Sequence, residues 1–209
     1  MKELDLLKKD WQKNNAFEQL SEVDIYKMLH AKSSSIVKWI FIISILEILL
    51  WTSTSVFFNT DDYLKKIKHE ELILFFEILT YFNYAVVLVF IYLFYKNYVA
   101  ISTTVSTKQL MKDILKTRKT VQYYVWYNLG MIGLSMMIGF FMAFAYNPEV
   151  ATLMDKMGNN TKVLVITIGI FILLIAGFMG LFWLFYRLAY GILLRRLYAN
   201  YKELKKIDL

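Results

Sequence analysis

Cysteine is absent from the 209 residues, so disulfides, thiolate metal sites and a cysteine nucleophile are excluded. Histidine is nearly absent. The two present, His30 and His69, fall in different connecting segments, which puts a multi-histidine metal site within one subunit out of reach. The single proline, Pro148, sits in a connecting loop near a turn-like Gly158-Asn159-Asn160. No phosphate loop, nucleophile elbow, kinase signature or metal-binding helix motif occurs. No repeat, low-complexity tract or independent soluble domain stands out either. These absences imply no cofactor, no metal and no enzymatic activity.

What the chain does have is apolar length. Hydrophobic residues make up 58%, against about 45–50% in a soluble domain, and they gather in four stretches: 37–58, 72–95, 121–146 and 163–186. Each exceeds the roughly 20 residues that a helix needs to cross a ~30 Å hydrocarbon core. The predicted fold is all-α: an integral membrane four-helix bundle with cytoplasmic amphipathic helices. The first apolar stretch follows some 35 polar residues and has no small-residue cleavage site after it, so it reads as a retained anchor rather than a secretory signal.

Charge sets the orientation. Of the 24 Lys and Arg, 19 lie before the first stretch, between the second and third, or after the fourth; five lie in the other two loops. By the positive-inside rule both termini are cytoplasmic. The net charge of +7 flanks the spans, so the partner it implies is the lipid bilayer with its anionic headgroups, not nucleic acid. Trp39, Tyr95, Tyr98, Tyr123, Tyr124, Trp126, Trp183, Tyr186 and Tyr190 are expected to form the inner interfacial belt.

Residues 1–35 read as a cytoplasmic helical segment in two pieces. Leu4, Leu7 and Trp11 recur at helical spacing in the first, and Ser21 with Asp24 suggests a capping box for the second. The segment before Ser33 carries six Lys against six Asp and Glu, a balance that favours docking of a cytoplasmic protein over lipid anchoring, with Leu4, Leu7 and Trp11 as the docking edge. The ordinary alternative is that this edge packs on the protein's own Leu110–Leu115 helix. Residues 105–119 read as a basic amphipathic helix in the headgroup region, with Leu110, Met111, Ile114 and Leu115 on one face and Lys108, Lys112, Lys116 and Lys119 on the other. The 187–209 tail continues the fourth span as a basic helix with Leu193, Leu194, Leu197 and Tyr201 on its apolar side.

Two carboxylates, Glu47 and Glu77, fall within the bundle's spans (residues 36–186), where a charge costs roughly 3 kcal/mol or more. Glu47 lies near the midpoint of its stretch and shares a face with Ser44, Trp51, Thr54 and Ser55; Glu77 lies nearer the outer end of the second. With Asn83 and Asn128 they are the candidate intramembrane polar site, either a proton- or cation-linked site or protonated, hydrogen-bonded carboxyls, with the asparagine amides, that join helices. Small residues also recur: Ser135 and Gly139 in the third span, and Gly169, Ala176 and Gly180 in the fourth. They imply close packing of those two helices, or contact in a homo-oligomer.

The runs Leu4-Asp-Leu-Leu-Lys-Lys-Asp-Trp11, Ile25-Tyr-Lys-Met-Leu-His30, Ser33-Ser-Ser-Ile-Val-Lys-Trp-Ile40, Leu110-Met-Lys-Asp-Ile-Leu-Lys-Thr-Arg118 and Tyr124-Val-Trp-Tyr-Asn-Leu129 resemble an uncharacterised family of small four-span inner-membrane proteins of Bacteroidota, of flavobacterial type. The resemblance spans the chain and implies a bacterial inner membrane. It brings no activity, but members occur alongside sigma-factor regulators, which implies a regulatory partner. The expected function is thus a non-enzymatic polytopic inner-membrane protein whose cytoplasmic face binds a partner, in regulation or envelope homeostasis. The alternative is a small proton- or cation-coupled transporter using Glu47.

Overall fold

The computed structural model describes residues 21–57, 70–146 and 161–207. It contains α1 (Glu22–Phe57), α2 (Glu70–Thr103), α3 (Thr107–Tyr146), α4 (Thr161–Ala189) and α5 (Gly191–Ile207). The described residues form an all-helical bundle, and four of its helices are long and apolar enough to cross a membrane. Leu4, Leu7 and Trp11 lie outside the described residues.

Local chemistry sets the helix ends. Ser21 caps α1: the Asp24 N–H donates to Ser21 Oγ at 3.2 Å, and the Ser21 hydroxyl donates to Asp24 Oδ2 at 2.6 Å. α2 and α3 form a tight antiparallel hairpin whose connection, Thr104 to Ser106, is tied down by Asp113. Asp113 Oδ2 accepts from the Thr104 hydroxyl at 3.1 Å and Oδ1 from the Gln109 amide at 3.1 Å. The Tyr26 hydroxyl reaches across from α1 to the Thr104 carbonyl at 3.0 Å. Between α4 and α5 the break at Tyr190 is slight: its N–H donates to the Tyr186 carbonyl at 3.0 Å, and the Leu194 N–H donates to its carbonyl at 2.8 Å.

The helices are longer than a membrane requires. α3 has 40 residues, about 60 Å at 1.5 Å per residue and about twice the hydrocarbon thickness. The surplus gathers at the end carrying most of the Lys and Arg, called here the basic end. There α1, α2, α3 and α5 close on a core that includes Leu29, Ile101, Leu110, Ile114, Leu197 and Leu204. Two cross-helix amide bonds run through it, from Asn200 to Ser33 Oγ at 3.0 Å and from Asn97 to Thr120 Oγ1 at 3.2 Å. Residues 105–119 are therefore not a separate helix lying flat on a surface. All but the first two are the opening turns of α3, and Leu110 and Ile114 are wholly buried against the other helices. Their apolar face has a protein partner, which is a better solvent for it than a headgroup layer.

Toward the other end, the far end, the surface inverts. Ile166, Leu173 and Leu181 on α4, Leu88 and Val89 on α2 and Phe141 on α3 are exposed, and Tyr186 is the buried residue of α4. So many exposed large apolar side chains suit a lipid-like surrounding, because monomeric soluble proteins seldom expose more than a few hundred Å² of apolar surface in one patch. α4 rests on α3 through aromatic contacts: Phe171 meets Phe140 at 4.6 Å and Phe144 at 4.9 Å between ring centroids. The small residues expected to bring these helices together do not do so. A Cβ added at Gly139, Gly169 or Gly180 would meet nothing within 4 Å, whereas Gly133 faces Met179 Sδ at 3.5 Å. The described contact between the two helices is made by aromatic rings and by Met179 over Gly133.

Candidate functional site

Helical spacing puts Ile40, Ser44 and Glu47 on one inward stripe of α1, and all three are buried. Glu47 meets three tyrosines there. The Tyr124 hydroxyl, from α3, donates to Oε2 at 2.9 Å, and the Tyr190 hydroxyl, at the α4–α5 break, donates to the same oxygen at 2.9 Å. The Tyr186 hydroxyl, from the last turn of α4, donates to Oε1. Tyr186 and Tyr190 are four residues apart, so one helix face aims both at α1, with their rings stacked at 6.1 Å. α2 contributes Phe90 and Phe94, whose rings meet the Tyr124 ring edge-on at 5.3 and 5.2 Å. Every membrane-length helix thus contributes to one hub.

A carboxylate has room for about four hydrogen bonds, and three are filled by donors from two other helical segments. The described partners of Glu47 are all hydroxyls. They solvate the carboxylate as water would, which is what lets it lie 6% exposed in an apolar bundle.

The other sequence candidates are placed differently. Glu77 is exposed on α2 and is not brought to Glu47, so the two carboxylates are not a pair. Asn83 accepts from the Tyr127 hydroxyl at 3.0 Å, joining α2 to α3. Asn128 donates to the Tyr124 carbonyl in its own helix at 2.9 Å. Both asparagines line a cavity of about 410 Å³ just beyond the hub, together with Trp51, Thr80, Tyr84, Ser135, Phe182 and Tyr186. Trp51 and Phe182 meet across it at 5.8 Å.

The match to known families covers residues 23–209 and is to a domain of unknown function, DUF8845. The chain belongs to this family. No curated protein and no solved structure matches it. The family stretch takes in Glu47, its three tyrosines and both asparagines, and leaves out Leu4, Leu7 and Trp11.

Sequence reasoning singled out Glu47 but missed its partners. Tyr124, Tyr186 and Tyr190 were expected in the interfacial belt; they are at most 2% exposed and turned inward. Tyr123, Trp126, Trp39, Tyr95 and Trp183 do point outward as belt residues would. The available signal was the repeat of tyrosine at 186 and 190, because a belt has no need of two phenols on one helix face at i and i+4.

Proposed function

We propose that this is a non-enzymatic, multi-pass protein of a bacterial inner membrane, and that its basic end is a rigid cytoplasmic platform for a protein partner in regulation or envelope homeostasis. The supporting observation is the packed basic end itself, where Leu110, Ile114, Leu197 and Leu204 are wholly buried in a core built from helix lengths beyond membrane need. A protein that only crossed a bilayer would not need that core. The outward faces of the same helices carry Lys108, Lys112, Lys116, Lys119, Arg195, Arg196, Lys205 and Lys206, all exposed. Such a face suits a partner with an acidic surface. The 19-to-5 distribution of Lys and Arg favours the cytoplasm for this end and for both termini. Transport through Glu47 is less well supported, because both of its oxygens are already engaged by tyrosine hydroxyls.

Two measurements test this reading. The chain has no cysteine, so single cysteines can be read without background. One at Asp62 or Asn159 is expected to label with an impermeant thiol reagent in spheroplasts, and one at Lys112 is not; the opposite pattern would overturn the orientation. For docking, a soluble protein is expected to co-purify stoichiometrically with the intact chain in mild detergent. Deleting residues 2–20, or replacing Lys108, Lys112 and Lys116 by glutamate, should lose that protein without lowering the melting temperature. A collapse of the melting temperature on deletion would show that the segment belongs to the bundle and remove the docking role assigned to it.

A further inference from the structure

Beyond the hub, toward the far end, α1 and α4 meet through Trp51 and Phe182, and the space between the helices is the cavity of about 410 Å³. It lies among stretches that are apolar on all four helices, which suits an occupant drawn from lipid. Its size falls within the ~300–1,000 Å³ range of small-molecule sites. No charged side chain is on its wall among the described residues. Glu47 lies behind Tyr186, outside the lining, with both oxygens occupied by hydroxyls. An ion would enter without a counter-charge, at a desolvation cost of several kcal/mol. The described wall therefore favours an uncharged occupant.

The wall also favours particular shapes. Trp51, Phe182 and Tyr186 supply ring surfaces, which suit a flat molecule. Two amides have unused hydrogen-bonding capacity. Asn83 accepts through Oδ1 from Tyr127, and its N–H groups donate to nothing among the described residues. Asn128 donates its N–H to the Tyr124 carbonyl, and its Oδ1 accepts from nothing among the described residues. The wall thus offers a free donor and a free acceptor in apolar surroundings. A hydrocarbon chain would leave both unsatisfied, whereas a ring carrying oxygen substituents would pair with them.

We propose that the cavity binds an uncharged, flat, lipid-soluble ring bearing hydrogen-bonding oxygens, the chemistry of an isoprenoid quinone or quinol head group. This stands apart from the docking reading, which neither outcome below affects. The probe is menadione, titrated against the full chain in lipid nanodiscs with tryptophan emission as the readout. Of the four tryptophans among the described residues, Trp51 is the one on the wall. Saturable quenching at one site per chain is expected, and Trp51→Phe should remove the saturable part. Asn83→Leu should weaken binding at least ~10-fold, the equivalent of one lost buried hydrogen bond. Because Asn83→Leu also deletes the Tyr127 bond, Ser135→Leu provides a second test: it adds bulk to the cavity, removes no hydrogen bond among the described residues, and should abolish binding with melting unchanged. Quenching that rises linearly with menadione, saturable binding that survives both wall variants, or saturation by tetraphenylphosphonium in place of menadione would each overturn the proposal.

Discussion

Glu47→Leu is expected to destabilise the protein by roughly 2–4 kcal/mol, among the largest losses from any single substitution in the chain. The reason is less the lost carboxylate than what it leaves behind. Tyr124, Tyr186 and Tyr190 donate only to Glu47 among the described residues, and all three are buried. Removing the common acceptor orphans three hydroxyls at once, at about 1 kcal/mol each in a membrane setting. The signature is non-additivity. Tyr124→Phe, Tyr186→Phe and Tyr190→Phe should each destabilise the native chain by about 1 kcal/mol, yet be neutral or stabilising in the Glu47→Leu background, where the hydroxyl has nothing to lose. Glu47→Gln should fall between, because its one amide oxygen can serve Tyr124 and Tyr190 while its NH2 must face Tyr186, which can turn and accept. Unfolding free energies from detergent titration supply the cycle. Additive losses would show that the tyrosines stabilise the bundle through their rings and not through Glu47. Loss of a cellular phenotype in Glu47→Gln at normal protein level and stability would instead favour the coupled-transport alternative.

The number of membrane-length helices and the all-α class were legible because lipid leaves few options: apolar stretches above 20 residues must satisfy their backbone internally. The basic-end bundle was not legible, for the same reason. Hydropathy reports that a residue avoids water, not whether protein or lipid replaces it. Val37 and Ile40 open an apolar stretch in the sequence, yet they are buried among protein side chains. Leu110 and Ile114, on a lysine-rich helix, looked like a membrane-surface stripe and are core. The same ambiguity hid the tyrosines, whose amphipathic ring fits an interfacial belt as well as a buried hydrogen bond. Glu47 stood out because a carboxylate amid leucines has no comfortable alternative. The buried Asp113, Asn97 and Asn200 gave no such signal, since each lies in a stretch polar enough to pass for solvent-facing surface.

A second large effect separates those two solvents directly. Leu197→Ala and Ile114→Ala are expected to cost about 2–5 kcal/mol each, while Leu173→Ala should change stability by less than about 0.5 kcal/mol. By hydropathy alone the order would be reversed, because Leu173 lies in the most apolar helix and Ile114 among lysines. Burial decides otherwise: Ile114 and Leu197 are 0% exposed and Leu173 is 72% exposed. Truncating Ile114 or Leu197 opens a cavity in a packed interior and forfeits contacts that the unfolded chain never had. Truncating Leu173 exchanges lipid contact for lipid contact in folded and unfolded states alike, so little free energy is at stake. Unfolding curves of the three variants in one detergent check the ranking. Were residues 107–119 instead a helix lying flat on the headgroups, Ile114→Ala would weaken partition into lipid and leave the unfolding free energy unchanged. A near-zero value there, beside a large one at Leu197, would detach the start of α3 from the bundle and take the platform with it.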